Sequence, residues 1–183
     1  QDKHLSIGSG ARYTNIFPLV HTGGVQEHWK ETNDQKRVFL LTRSAFLGQQ
    51  RNGATTWSGD IYSTYMNLWR QVPAGLNFAL SGNPYWTTDI GGFLGGDTHA
   101  PASTELFVRW FQYGAFCPIF RVHGVRTNNE NELWSYGPRA QEILTLYDRL
   151  RYRLLPYIYT AAARTAFNGY TPMRALAFDF RED

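Results

Sequence analysis

The chain contains a single cysteine, Cys117, among its 183 residues. One cysteine cannot form an intrachain disulfide, and it cannot supply the repeated ligands of a zinc finger. The five histidines show no ligand spacing such as His-x-x-x-His. We therefore expect neither a bound metal nor a cofactor.

Charged residues are also few, at 18% of the chain, and the net charge is only +3. The sequence has no run of lysine or arginine residues that would indicate a nucleic-acid partner. No apolar stretch reaches the roughly 20 residues of a membrane span. Aromatic residues, in contrast, make up 16%. Most of them are expected in a globular core, and some could stack on sugars.

The N-terminus lacks an initiating methionine, and residues 1–6 do not form a signal peptide. We expect a fragment or a processed chain.

Strand-like and helix-like segments alternate along the sequence. Strands are predicted at 37–42, 85–90, 117–122 and 173–180. Helices are predicted at 62–71, from Pro73 to Gly82, at 106–113, and from Pro138 to a cap at Gly169, with a kink at Pro156. Four parallel strands with three crossovers predict an α/β fold. This pattern fits a doubly wound sheet and half of a barrel equally well.

Candidate functional residues follow the predicted strands. Each has an ordinary structural explanation: an arginine there often forms a salt bridge, and an aspartate before a helix is most often an N-cap. Their concentration at successive strand ends favours a site, because in a barrel these ends form one face. The candidates are Arg43, Trp57, Asp60, Asp89, Phe93 and His123.

Seven segments in this order and spacing resemble glycoside hydrolase family 31. The resemblance covers nearly the whole chain, and residues 42–46 with 49–51 look most like the bacterial α-xylosidase branch. The segments are 37–44 (RVFLLTRS), 56–61 (TWSGDI), 76–78 (LNF), 88–93 (TDIGGF), 105–110 (EL and RW), 121–124 (RVHG) and 150–157 (LRYRLLPY).

The resemblance implies a role for each candidate. Asp60 matches the general acid/base, and Asp89 matches a buried aspartate that supports the site. The residues that match the lining of the subsite for the non-reducing-end sugar are Arg43, Trp57, Phe93 and His123. The chemistry agrees, since a glycosidic oxygen leaves poorly unless an acid protonates it.

One part of the family's site has no match. Retaining glycosidases need a second carboxylate about 5 Å away as nucleophile. In this family it lies in a Trp-x-Asp segment on the fourth barrel strand, and the resemblance begins just after that segment. Residues 1–183 are therefore expected to be the fifth to eighth strands of a catalytic (β/α)8 barrel, without its N-terminal half and β-domain.

The expected function follows from the resemblance. The chain is interpreted as part of a retaining exo-α-glycosidase, an α-xylosidase acting on xylosyl side chains, inactive by itself. An α-glucosidase and a non-catalytic carbohydrate-binding module are the alternatives. A carbohydrate substrate and the missing half-barrel are the expected partners, and the open edges 37–42 and 173–180 could pair between two copies. The compartment stays open, with a bacterial periplasmic or extracellular location compatible.

Overall fold

The computed structural model describes residues 3–33 and 35–180. The ends of the predicted domain 1–183, and residue 34, lie outside this description. The chain divides after Thr56 into two units.

The first unit begins with two short antiparallel strands, β1 (His4–Leu5) and β2 (Gly8–Ser9), followed by helices α1 (Gly10–Tyr13) and α2 (Phe17–Thr32). Pro18 lies in the first turn of α2, where a missing N–H costs no hydrogen bond. Helix α2 was not predicted from the sequence, and it contains a Gly-Gly pair, which is unfavourable inside a helix. The helix is fastened by Asn52, whose Nδ2 donates to Thr22 Oγ1 at 3.0 Å.

Two parallel strands follow, β3 (Leu40–Thr42) and β4 (Ala54–Trp57), with Leu40 opposite Ala54. The predicted strand at 37–42 is thus present but shorter. β4 was not predicted, and Trp57 ends this strand where a loop was expected. Gly53 precedes it at φ 72°, and a Cβ there would lie 2.7 Å from the Val38 carbonyl oxygen. Only glycine fits that position.

The second unit begins with helix α3 (Tyr65–Leu80). Thr64 is its N-cap and accepts a hydrogen bond from Asn67 N at 3.2 Å. The prediction of two helical pieces separated at Pro73 is wrong, because Pro73 lies inside one continuous helix. The predicted end at Gly82 is confirmed: Gly82 takes φ 86° and its N–H donates to Ala79 O at 3.0 Å.

Strand β5 (Trp86–Thr87) and helices α4 (Pro101–Gly114) and α5 (Pro138–Asn168) complete the second unit. Helix α4 supplies most of the core, and α5 packs against it. Gly169 ends α5 in the left-handed conformation at φ 68°, as predicted. The fully buried core side chains include Ile90, Phe107, Trp110, Phe111 and Leu144.

The predicted strand at 117–122 is wrong except for its end, where Val122 forms a parallel bridge with Ile90. Its backbone groups find another partner. The guanidinium of Arg151 donates to the carbonyls of Ala115, Cys117 and Pro118, so this segment does not need a neighbouring strand. The predicted strand at 173–180 is also wrong. This segment contains a 3-10 turn at Leu176–Phe178.

The second strand, predicted at 85–90, is confirmed only as β5. Pairing between two copies was predicted through strands at 37–42 and 173–180, and residues 173–180 form no strand. Self-association stays a prediction, but this pair of strands no longer supports it. All the bridges outside named strands are parallel, as the α/β class requires. None of the helices described in residues 3–33 and 35–180 is long and apolar enough to cross a membrane.

Candidate active site

Three segments of the second unit are joined through their backbones. Phe93 N donates to Ile61 O at 2.8 Å, and Val125 N donates to Phe93 O at 2.6 Å. Ile90 N donates to Arg121 O at 3.2 Å. These bonds hold the segment after β4, the segment after β5 and the segment at 121–125 side by side. Most of the predicted site residues lie on these three segments.

Asp60 lies in the segment after β4, with its side chain exposed. Gly59 turns the chain just before it at φ 77°, and Ile61 N donates to Gly59 O at 3.0 Å. Asp60 is not the N-cap of α3, since Thr64 has that role. The structural alternative weighed for Asp60 is therefore removed.

Asp89 lies in the segment after β5 and is fully buried. Its Oδ1 accepts a hydrogen bond from Arg121 Nη2 and forms an ion pair in which the carboxylate is fully buried and the arginine side chain is 27% exposed. Burial raises the pKa of Asp89 above its usual range, although the positive charges of Arg121 and His123 act in the other direction. The negative charge of Asp60 adds to the increase in this pKa.

Arg121 also contacts Trp57. Its guanidinium carbon lies 5.4 Å from the centre of the indole ring, which is within range of a cation–π interaction. One arginine thus links the buried Asp89 to the aromatic ring three residues before Asp60. Arg121 Nε, Asp89 Oδ2 and Trp57 Nε1 are buried and have no hydrogen-bond partner among the described residues, so each can take one more hydrogen bond.

A second pair of site residues, Phe93 and His123, is in ring contact. Their centroids are 5.3 Å apart at an interplanar angle of 38°. Phe93 is half-buried, and His123 is exposed. This arrangement presents an apolar ring next to a ring nitrogen that can hydrogen-bond, as a sugar face and its hydroxyls require.

Thr88 anchors the site to the core. Its Oγ1 accepts from the indole Nε1 of the buried Trp110 at 3.2 Å, and from Ser58 Oγ at 3.4 Å. Helix α4 is therefore hydrogen-bonded to the β5 segment directly, and to the segment after β4 through Thr88.

Arg43 lies in the first unit, exposed after β3. The turn that follows it is fastened by Gln49, whose Nε2 donates to Ser44 O at 3.2 Å and to Thr56 Oγ1 at 3.1 Å. Its role in sugar binding stays a prediction.

Arg121 belongs to one of the seven family-like segments, but no role at the site was predicted for it. A signal was available: Arg121 and Asp89 both end predicted strands, and the carboxyl ends of parallel strands meet at one edge. That placement indicates that the two side chains could meet, and the structure shows their ion pair.

A groove of about 840 Å³ lies apart from this site, and the residues that line it include Thr98, Val108, Trp134 and Ile143. Across residues 3–33 and 35–180, no group of three His, Cys, Asp or Glu side chains could hold a metal ion.

Parallel pairing and intervening helices define a partial α/β barrel, in which the candidate site residues follow the strand ends. The chain belongs to glycosyl hydrolases family 31, because the family's TIM-barrel domain matches residues 1–161. This match confirms the resemblance and the half-barrel fold class.

Similar proteins include xylosidases and glucosidases. The chain is 52% identical over its whole length to a protein named α-xylosidase from Saccharolobus solfataricus, of which it covers 24%. It is 36% identical over 169 residues to α-glucosidase 2 of Bacillus thermoamyloliquefaciens, covering 92% of this chain and 21% of that protein.

Solved structures agree. A family 31 α-xylosidase from a soil metagenome, complexed with xylose, superposes with a TM-score of 0.94 at 39% identity, over 98% of this chain and 29% of that one. The α-xylosidase of Xanthomonas citri gives a TM-score of 0.92 at 41% identity, over 99% and 20% of the two chains. The chain thus spans about a quarter of the curated relatives it matches.

Proposed function

We propose that this chain is the acid/base half of the active site of a retaining exo-α-glycosidase, and that the protein containing it is an α-xylosidase. The observation that carries the proposal is the exposed Asp60, three residues after Trp57, in a chain 52% identical to a protein named α-xylosidase. Asp60 would protonate the glycosidic oxygen and later remove a proton from the attacking water.

The surrounding residues would bind the sugar. Trp57 and Phe93 offer apolar surface, while Arg43 and His123 can hydrogen-bond to hydroxyl groups. Arg121, paired with Asp89, would hold the Trp57 ring in place through its cation–π contact.

Asp89 is a poor candidate for the nucleophile. A nucleophilic carboxylate must reach the anomeric carbon, and Asp89 is fully buried and paired with Arg121. The nucleophile would therefore come from outside residues 1–183, as would the family's N-terminal half-barrel and β-domain. The isolated chain should not hydrolyse aryl α-xylosides or aryl α-glucosides.

The main test is substrate preference in a protein of full family length. We expect kcat/KM for an aryl α-xyloside to exceed that for the matching α-glucoside by about tenfold or more, since one extra group on a substrate typically changes discrimination by roughly 10- to 200-fold. The reverse preference would identify an α-glucosidase, a name that one relative carries.

The alternative from another class is a carbohydrate-binding module. Sugar binding without turnover by the full-length protein would favour it. Turnover by the isolated chain, abolished by Asp60→Asn, would contradict the proposed division of the site.

A further inference from the structure

A buried arginine outside the proposed catalytic set holds the segment between two site residues. Arg126 is 3% exposed. Its Nη1 donates to Gly92 O at 2.8 Å and Gly95 O at 3.2 Å, and its Nη2 donates to Ile90 O at 3.2 Å. Its Nε donates to the hydroxyl of Tyr136 at 2.9 Å.

These partners are all neutral, and a buried cation is costly unless its donors are satisfied. Here carbonyl dipoles replace a counter-ion. A buried charge of this kind is often no more stabilising than a well-packed apolar residue of similar volume. The property that an apolar residue could not supply is the directed set of hydrogen bonds. The flat guanidinium presents its N–H groups in fixed directions, which suits three carbonyls on one tight loop.

The loop in question is rich in glycine. Gly91, Gly92, Gly95 and Gly96 all have positive φ, between 78° and 88°. Glycine loses more conformational freedom on folding than any other residue, so this backbone would sample many conformations without a restraint. At Gly91 an added Cβ would lie 2.5 Å from Arg126 Nη2, which shows how closely the guanidinium lies against the backbone.

The loop carries site residues on both sides of the restraint. Asp89 precedes Ile90, and Phe93 follows Gly92. Phe93 O also accepts from Val125 N, next to Arg126 in the chain, at 2.6 Å. A shift of this loop relative to the segment that carries His123 would therefore change the ring contact between Phe93 and His123.

We propose that Arg126, held by Tyr136, is a positioning residue for the sugar site: it fixes the Ile90–Gly96 loop and thereby the orientation of Phe93 and Asp89. The inference rests on the proposed function. Tyr136 restrains the guanidinium in turn, because its hydroxyl donates to Asn131 Oδ1 at 2.8 Å while accepting from Arg126.

The chain offers a matched control. Arg151 is also buried, at 8% exposed, and donates to three backbone carbonyls. Its guanidinium lies 5.8 Å from the ring of Phe120, the distance that separates Arg126 from the ring of Phe107. The turn that Arg151 holds, residues 115–118, contains none of the proposed site residues.

The test compares Arg126→Lys, Tyr136→Phe and Arg151→Lys in the full-length protein. Lysine keeps the charge but cannot reach all four acceptors. Arg126→Lys should raise KM, and Ki for the released monosaccharide, by about tenfold, since a displacement of about 1 Å at a site can cost about 10²-fold and a smaller shift of Phe93 should cost less. Tyr136→Phe should change both in the same direction by less. Arg151→Lys should lower Tm while leaving KM and Ki within twofold.

Hydrogen exchange provides a readout independent of turnover. Amides at 91–96 should exchange faster in Arg126→Lys than in the wild-type protein, and at the wild-type rate in Arg151→Lys. An active enzyme in which Arg126→Lys and Arg151→Lys lower Tm alike, with KM, Ki and exchange at 91–96 unaltered, would refute the role of Arg126 alone. A wild-type protein with no glycosidase activity would instead refute the proposed function, and with it a role for Arg126 at a sugar site.

Discussion

Two neighbouring segments of the second unit each carry one aspartate, and the two carboxylates lie in opposite surroundings. Asp60, after β4, is exposed at a glycine turn. Asp89, after β5, is fully buried and paired with Arg121. The same side chain is therefore accessible to a ligand on one segment and part of the protein interior on the next.

The difference shows how to separate chemistry from support. An exposed carboxylate can exchange protons with a substrate and with water, whereas a buried ion pair mainly keeps its neighbours in place. Arg121 connects the two environments, because it pairs with Asp89 and stacks on Trp57. Substitutions at the two positions should consequently affect different measurements.

The largest effect is expected for Asp60→Asn in the full-length protein. General acid/base catalysis contributes about 10²- to 10⁴-fold in rate, so kcat/KM for natural substrates should fall by about that factor. Substrates with activated leaving groups should lose less in the glycosylation step, because such groups depart without protonation. Steady-state kinetics on both substrate types provides the measurement.

Stability is the internal control for Asp60→Asn. Because the side chain is exposed, Tm should change little. Azide should partly restore deglycosylation and yield an α-glycosyl azide. An equal loss of rate on both substrate types without azide rescue would assign Asp60 a structural role and remove the contrast between the two aspartates.

The second prediction concerns Asp89→Leu. Removing one partner of a fully buried ion pair typically costs about 3–5 kcal/mol, and the cost here should be smaller because the remaining Arg121 side chain is 27% exposed and is partly solvated. The free energy of unfolding should fall accordingly, as measured by urea denaturation. Asp89→Leu with Arg121→Met should recover part of the loss, since neither charge is then left alone. A single variant as stable as wild type would show that Asp89 and Arg121 do not form a buried pair in solution.

The sequence predicted α4 and α5 from local signals, whereas α3 was wrongly divided at Pro73. Pro101 and Pro138 lie in the first turns of α4 and α5, and Gly169 ends α5. Strands were predicted less well, since pairing depends on residues distant in sequence. The segment at 117–122 has strand-like residues, but Arg151, more than 25 positions later, takes its carbonyls.

The site followed a similar division. The candidates on the second unit lie on the joined segments because strand ends and family motifs are local properties. Arg121 was missed as a site residue because its importance comes from contacts with Trp57 and Asp89, which are far away in sequence. The hydrogen bonds from Arg126 to the Ile90–Gly96 loop also join residues that are far apart in sequence. The contacts of Arg121 and of Arg126 therefore cannot be inferred from the residues next to them in the chain.

The smallest expected effect tests which force controls Asp89. Burial raises the pKa of Asp89, while Arg121 and His123 act to lower it, and burial has the larger influence. A carboxyl group whose pKa is higher in the folded than in the unfolded state stabilises the fold fully below its unfolded pKa, near 3.9. That contribution is lost as the pH rises through the folded pKa.

Asp89→Asn removes this titration without changing the shape of the side chain, so the difference in unfolding free energy, wild type minus variant, should decrease as the pH rises from below about 4. Urea denaturation of both full-length proteins across this range measures the difference, in which the titrating groups that do not interact with Asp89 cancel. If the ion pair with Arg121 outweighs burial instead, the folded pKa lies below the unfolded one and the difference must increase with pH. The sign of the slope therefore decides whether the fold tolerates the Asp89 carboxylate or depends on it. A positive slope would mean that Asp89 is ionised in the fold at lower pH than burial alone permits, with Arg121 as the stabilising partner.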